Sequence, residues 1–274
     1  MIEIPESKNL SRQVNETLAG KIIAEVFPPS SPHKFMFHSG DPASYPALLR
    51  GRKILSSTGH GMFVDIHCDE DTHLTISDGT NIRYSLPSEP YPKKYQLLVV
   101  FEDDTFIPFT ISMYGGLWAY RGTLENSYHY GSLQSISPLE DAFDETLFNN
   151  IIEGVTKDIT LKALLATEQR IPGIGNGVLQ DILFNAGMHP KKKKYTLTDF
   201  LKGELFHSLK TTLSCMTDKG GRDTEKDLFG NLGGYRTILS RNTLNDPCPN
   251  CGGKIMKEQY MGGAIYFCPD CQVY

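Results

Sequence analysis

The 274-residue chain has no apolar run approaching 18 residues, no excess of positive charge and few cysteines outside its last thirty residues. A membrane-spanning helix needs about 20 mostly apolar residues, so no span is expected. The opening MIEIPESKNL places acids at Glu3 and Glu6 and lacks the apolar core of a secretory signal. A cytoplasmic protein is therefore expected, in a reducing compartment where disulfides are rare. Cys68 and Cys215 stand alone and read as small buried hydrophobes. No internal repeat or heptad is present, which excludes solenoids and coiled coils.

A net charge of −5 argues at first against a nucleic-acid partner. The distribution changes that reading. Residues 1–150 hold 11 Lys and Arg against 19 Asp and Glu, and residues 151–274 hold 16 against 13. The halves carry −8 and +3, and the change of sign marks a candidate boundary.

The hydrophobic pattern divides the chain the same way. Residues 6–20 predict a helix, with Leu10, Val14 and Leu18 on one stripe and Gly20 as its stop. From 21 to 135, short β-rich runs such as KIIAEVF, GMFVDIH, QLLVVF and FIPFTIS alternate with Gly, Asp and Pro punctuation, which predicts a sandwich or barrel. Helical spacing returns in DAFDETLFNNIIEGV, ITLKALLATEQR and VLQDILFNAG. It is longest in TDFLKGELFHSLKTTLSCM, where Thr198 is the expected N-cap. Residues 217–246 are Gly-rich and loop-like. The predicted class is α+β, in three units: a β-sandwich over 1–137, a helical unit over 138–246 and a cysteine module over 247–274.

That module reads CPNC-x16-CPDC. Cys248, Cys251, Cys268 and Cys271 form two CxxC pairs, and strand runs flank a Gly262-Gly263 turn between them. A β-hairpin would fold one pair onto the other and close a structural zinc site. The turn Ile171-Pro172-Gly173-Ile174-Gly175-Asn176 joins two helices. Backbone N–H groups at such a turn hold a phosphate at a positive helix end, or the glycines simply permit close packing. Lys162 could reach the same anion. Lys191–Lys194 reads either as a solvated face or as an extension of that electrostatic footprint.

Taken in order, the MxExPE-like start, the β-rich half, the Gly-x-Gly-Asn turn and the four-cysteine hairpin resemble the formamidopyrimidine-DNA glycosylase / endonuclease VIII family. The likeness spans the chain and is densest in ALLATEQRIPGIGNGVLQDILFNAGMHP and PCPNCGGKI…YFCPDCQ. It implies a β-sandwich followed by a helix–two-turn–helix unit and a zinc-finger hairpin. It further implies a protein that binds damaged double-stranded DNA and excises oxidised bases; a monomer is expected by default. Lys162, Gly173, Gly175 and Asn176 would meet phosphates, and residues 217–246 would cover the lesion.

The resemblance also exposes departures. The family's nucleophile is an N-terminal proline, where this chain has Ile2. Met1 is then expected to stay, leaving its primary amine as the candidate nucleophile beside Glu3 and Glu6. Glu6 alone also reads as a helix N-terminal acid. The hairpin lysine is matched by Met62 and the zinc-finger arginine by Gly263. The turn that fills the gap left by a flipped base reads Ser112-Met113-Tyr114, so only the aromatic Tyr114 is kept. Arg52, Lys53, Arg222 and Lys226 are candidate substitutes for the missing cations. Four readings follow: a glycosylase/lyase using the Met1 amine, a glycosylase using Glu-activated water, a catalytically impaired damaged-DNA binder, and a protein-interaction scaffold.

Overall fold

The computed structural model describes residues 1–274. Helix α1 (Ile4–Leu18) begins two residues earlier than the apolar stripe suggests. Glu3 is its N-cap, and a reciprocal pair of bonds with Glu6 forms a capping box, with Pro5 in the first turn. Leu10, Val14 and Leu18 are buried against the sandwich, while Ile4 belongs to the helical core. The helix therefore joins both. Its Asn15 amide pairs with the backbone N–H and C=O of Ser57 at 2.6 and 2.8 Å, covering the edge of a strand.

Strands β1 (Ile23–Phe27) and β2 (Met36–Phe37) come first, then the short helix α2 (Tyr45–Leu49). The next four strands are β3 (Ile54–His60), β4 (Phe63–Cys68), β5 (Thr72–Ser77) and β6 (Thr80–Ile82). β7 (Leu97–Phe101), β8 (Phe106–Ile111) and β9 (Gly115–Arg121) complete the set. One sheet runs β1-β7-β8-β6, all antiparallel. The other runs β2-β9-β5-β4-β3, with only β2 parallel to its neighbour. Ile66, Leu74 and Leu117 from one sheet meet Val99, Ile107 and Phe109 from the other in a core of 25 buried residues. This is the expected sandwich.

Helix α3 (Ser127–Gln134) leads out of the sandwich. A second core of 20 residues gathers α4 (Glu145–Glu153), α5 (Leu161–Ala166), α6 (Asn176–Asn185) and α7 (Asp199–Asp218). Thr198 caps α7 by accepting from the Leu201 N–H. Between α5 and α6 lie the two turns of a helix–two-turn–helix. Strands β10 (Met256–Tyr260) and β11 (Gly263–Phe267) form the hairpin, registered Met256 to Phe267 and Tyr260 to Gly263.

The lysine run is neither a solvated face nor a free basic patch. Lys192 and Lys194 are buried, and Lys194 donates to the carbonyls of Ile152 and Val155 at the end of α4. Lys191 pairs with Glu258 on the hairpin. A cation satisfies the orphan carbonyls at a helix C-terminus, and that local demand decides the placement.

Candidate functional site

The two N-terminal carboxylates are brought to the start of α6. Glu3 accepts from the N–H groups of Gly177 at 2.9 Å and Val178 at 2.7 Å. One of the two readings of this turn left the positive helix end free for a phosphate; the chain's own carboxylate occupies two of its donors instead. The approach depends on glycine. A Cβ on Gly175 would lie 2.5 Å from Glu3 Oε1, and one on Gly177 would overlap the Arg222 guanidinium. Gly173 takes φ +86°, and its carbonyl accepts from Ile4 at 3.1 Å.

Arg222 completes this cluster. Its Nε and Nη2 donate to Glu6 at 3.0 and 2.7 Å, and its Nη1 lies 3.5 Å from Glu3. All three side chains are buried. Burial pushes the Glu3 pKa up, against the opposing pull of Arg222. Burial also works against the Arg222 charge, but Glu3 and Glu6 override it and hold its pKa above the usual value. Arg222 was a candidate phosphate contact in the sequence; the structure turns it inward as a counter-charge. Two isolated carboxylates near one helix end would have signalled the need for such a cation.

Met1 lies at the mouth of two cavities of about 630 and 450 Å³. Its amine pairs with Glu225, and its carbonyl accepts from Arg222 Nη2 at 3.2 Å. The Tyr114 hydroxyl donates to Asp78 at 3.1 Å and lies 3.8 Å from Met1 Sδ. Burial, followed by the Asp78 charge, pushes Tyr114 up to about 12. Burial likewise raises Asp78, opposed by the N-terminal amine. Tyr114 thus meets the Met1 side chain, while Met113 next to it is 75% exposed. Ile2 points the other way, into the sandwich core. No sequence signal marked Glu225 or Asp78, because neither falls in a motif.

The second cavity runs from Met1 past Tyr114, Asn176 and Gly177 to Tyr266 on the hairpin. At the hairpin turn, Lys162 Nζ donates to the Tyr260 carbonyl at 2.6 Å and Asn176 Nδ2 to the Ala264 carbonyl at 2.7 Å. Both nitrogens lie 3.6 Å from the place a Cβ on Gly263 would occupy. Burial lowers the Lys162 pKa, and the buried Asn176 Oδ1 has no partner. Lys162 and Asn176 therefore converge as the sequence suggested. Met62 packs with Phe63, Trp118 and Leu124, and contributes no charge.

The four cysteine sulfurs lie within 4.8 Å of one another. Two of the separations are 3.7 Å, Cys248 to Cys271, and 3.5 Å, Cys251 to Cys268. Tetrahedral Zn–S bonds of about 2.3 Å place sulfurs about 3.8 Å apart, so the donor set fits that ion.

These features define a class: a β-sandwich and a helix–two-turn–helix meeting at the chain's N-terminus, with a four-cysteine hairpin beside the junction. No protein-family model matches the chain. It is 24% identical over 281 residues to the formamidopyrimidine-DNA glycosylase of Brevibacillus brevis, covering 99% of each. It is 27% identical over 284 residues to that of Listeria monocytogenes, covering 99% of this chain and 100% of the relative. In fold it matches MutM (Fpg) from Thermus thermophilus, with TM-score 0.80, 24% identity and 98% of each chain covered. Lactococcus lactis Fpg in complex with abasic-site DNA matches with TM-score 0.84 at 20% identity, over 99% of this chain and 100% of that one. In sequence and in fold the chain is thus similar to formamidopyrimidine-DNA glycosylases along its whole length.

Proposed function

We propose that this protein is a zinc-containing base-excision-repair enzyme that acts on oxidised bases or abasic sites in double-stranded DNA. The observation that carries the reading is the Met1 amine at the cavity, paired with Glu225, on a residue whose side chain meets the Tyr114 hydroxyl. Deprotonation by Glu225 frees the nitrogen lone pair. The amine then attacks the aldehyde carbon of an opened abasic sugar, and loss of water leaves a Schiff base. A glycosylase relying on Glu-activated water is less well supported. Both Glu3 oxygens accept backbone N–H groups and both Glu6 oxygens accept from Arg222.

DNA would lie across the cavity, with Lys162 and Asn176 at a phosphate. Gly173 and Gly175 set the turn that brings them there. Met113 is the exposed apolar group available to fill the gap left by a flipped nucleotide, the use apolar wedges serve elsewhere. Residues 1–137, 138–246 and 247–274 serve as sandwich, DNA-binding unit and zinc finger. Cys248, Cys251, Cys268 and Cys271 hold structural Zn2+, and the protein works as a cytoplasmic monomer. The departures at Met62 and Gly263 leave fewer cations for phosphates, which predicts a shallow salt dependence.

The test is binding and turnover on duplexes carrying an abasic site or an oxidised base, at several salt concentrations. Salt-dependent binding with strand scission supports the reading. Binding without turnover on any lesion indicates the impaired damaged-DNA binder. No preference for duplex DNA over an unrelated polyanion overturns both.

A further inference from the structure

On the outer face of the five-stranded sheet, three metal-type ligands converge. His60 ends β3, Asp65 lies within β4, and His129 comes from α3. His60 Nε2 lies 2.9 Å from Asp65 Oδ2, and His129 Nε2 lies 2.9 and 3.0 Å from the two Asp65 oxygens. All three ligand atoms fall within 4.8 Å of one another. Asp65 and His129 are buried, and the His60 side chain is 14% exposed.

We propose that His60, Asp65 and His129 bind a divalent first-row transition ion, Zn2+ above all, at a site separate from the four cysteines. This inference does not rest on the repair reading. Two imidazoles and a carboxylate form a donor set suited to Zn2+ or Fe2+ rather than to Mg2+ or Ca2+. The supporting shell has the form such sites use. His60 Nδ1 meets Ser132 Oγ at 3.0 Å, which fixes the ring and directs Nε2 inward. Thr75 holds the Asp65 Oδ1 oxygen at 2.6 Å and is itself 3.0 Å from the Tyr120 hydroxyl. Zn–N and Zn–O bonds near 2.0–2.1 Å place tetrahedral ligands about 3.3 Å apart. The His–Asp separations of 2.9 Å need open by only a few tenths of an ångström to admit the ion. The partly exposed edge at His60 leaves water as the fourth ligand. As a ligand each ring is neutral and carries its proton on Nδ1, which leaves the Nε2 lone pair for the ion; at His60, Ser132 Oγ then accepts from Nδ1.

Such an ion would clamp α3 to the sandwich. The clamp stands beside Gly61, whose carbonyl accepts from Ser7 at 2.9 Å and whose backbone abuts Gly173. It would therefore stiffen the segment that links the sandwich to the helices.

Full-length protein stripped by chelator and reloaded with Zn2+ should hold two ions per chain by mass spectrometry. Asp65→Asn and His60→Ala should each hold one. With Co2+, the wild type should show absorption bands of nitrogen–oxygen coordination beside the thiolate bands, and both variants should lose only the former. If Asp65→Asn fails to fold, His60→Ala decides, because its side chain reaches the surface. One ion per chain in the wild type overturns the proposal, as does a second ion that persists in His60→Ala.

Discussion

A guanidinium at 1% exposure between two carboxylates is tolerated only while both partners remain in place. Removing one member of a buried ion cluster leaves an uncompensated charge, at a cost of about 3–5 kcal/mol. Arg222→Ala should lower unfolding stability by that amount in urea titration, and Arg222→Lys should recover only part of it, since lysine lacks the fork. A change within 1 kcal/mol would refute the clamp. Lys162 offers a second residue-level prediction. In the proposed interface its charged form would hold a phosphate, and burial favours the neutral form. DNA affinity should therefore fall as pH rises, before the range where surface lysines titrate. Lys162→Ala should remove that fall and reduce the salt slope by about 1. An unchanged slope would place Lys162 outside the interface. Glu3 and Asn176 could be named as candidates because each falls in a motif, and Lys162 because it lies about a helix and a turn before the Gly-x-Gly turn. The partnership of Arg222 was not legible in the sequence, because it joins residues 216 positions apart through a loop with no periodicity.

At the scale of elements, Asp181 ties the 217–246 segment to α6. It accepts from the Ile238 and Leu239 N–H groups at 2.8 Å each. Burial raises its pKa to about 6. The folded state thus holds this proton more tightly than the unfolded chain. The resulting contribution to stability is full below about pH 4 and is lost as pH rises through 6. Urea titrations of Asp181→Asn between pH 4 and 7 should show that slope flattened. Asp181→Ala should cost about 2–4 kcal/mol, because two buried donors lose their acceptor. A slope identical to the wild type would contradict the assignment. The apolar stripes made α1, α6 and α7 readable. They failed for α3, where SYHYGSLQ has no apolar face and its place is set by the Asn126 cap and by His129 on Asp65. They did not mark β9 either, which opens on two glycines although its centre is buried.

For the molecule as a whole, the total charge of −5 is a poor guide to its partner. The excess acid lies in the sandwich half, where pairs such as Arg52–Glu70 and Lys21–Asp103 consume cations as well. The cores also cross the units that the sequence separates: Leu228 from the long loop is buried in the sandwich core, and Ile4 from α1 in the helical one. The hairpin has the smallest of these cores, six buried residues including two of the cysteines. Structural zinc supplies about 10–16 kcal/mol in isolated fingers, far more than so small a cluster yields. Chelation, or Cys268→Ser, should therefore loosen the hairpin, expose Lys162 and Asn176, and weaken DNA binding at least about tenfold, while the sandwich retains its fold by circular dichroism. Unchanged binding would separate the hairpin from the interface. The central claim is the Met1 amine, and borohydride trapping on an abasic-site duplex tests it most directly. The account predicts one covalent adduct per chain, mapped by peptide mass to Met1 and formed more slowly by Glu225→Gln. Intact binding with no adduct, under conditions that trap a control family enzyme, would contradict it.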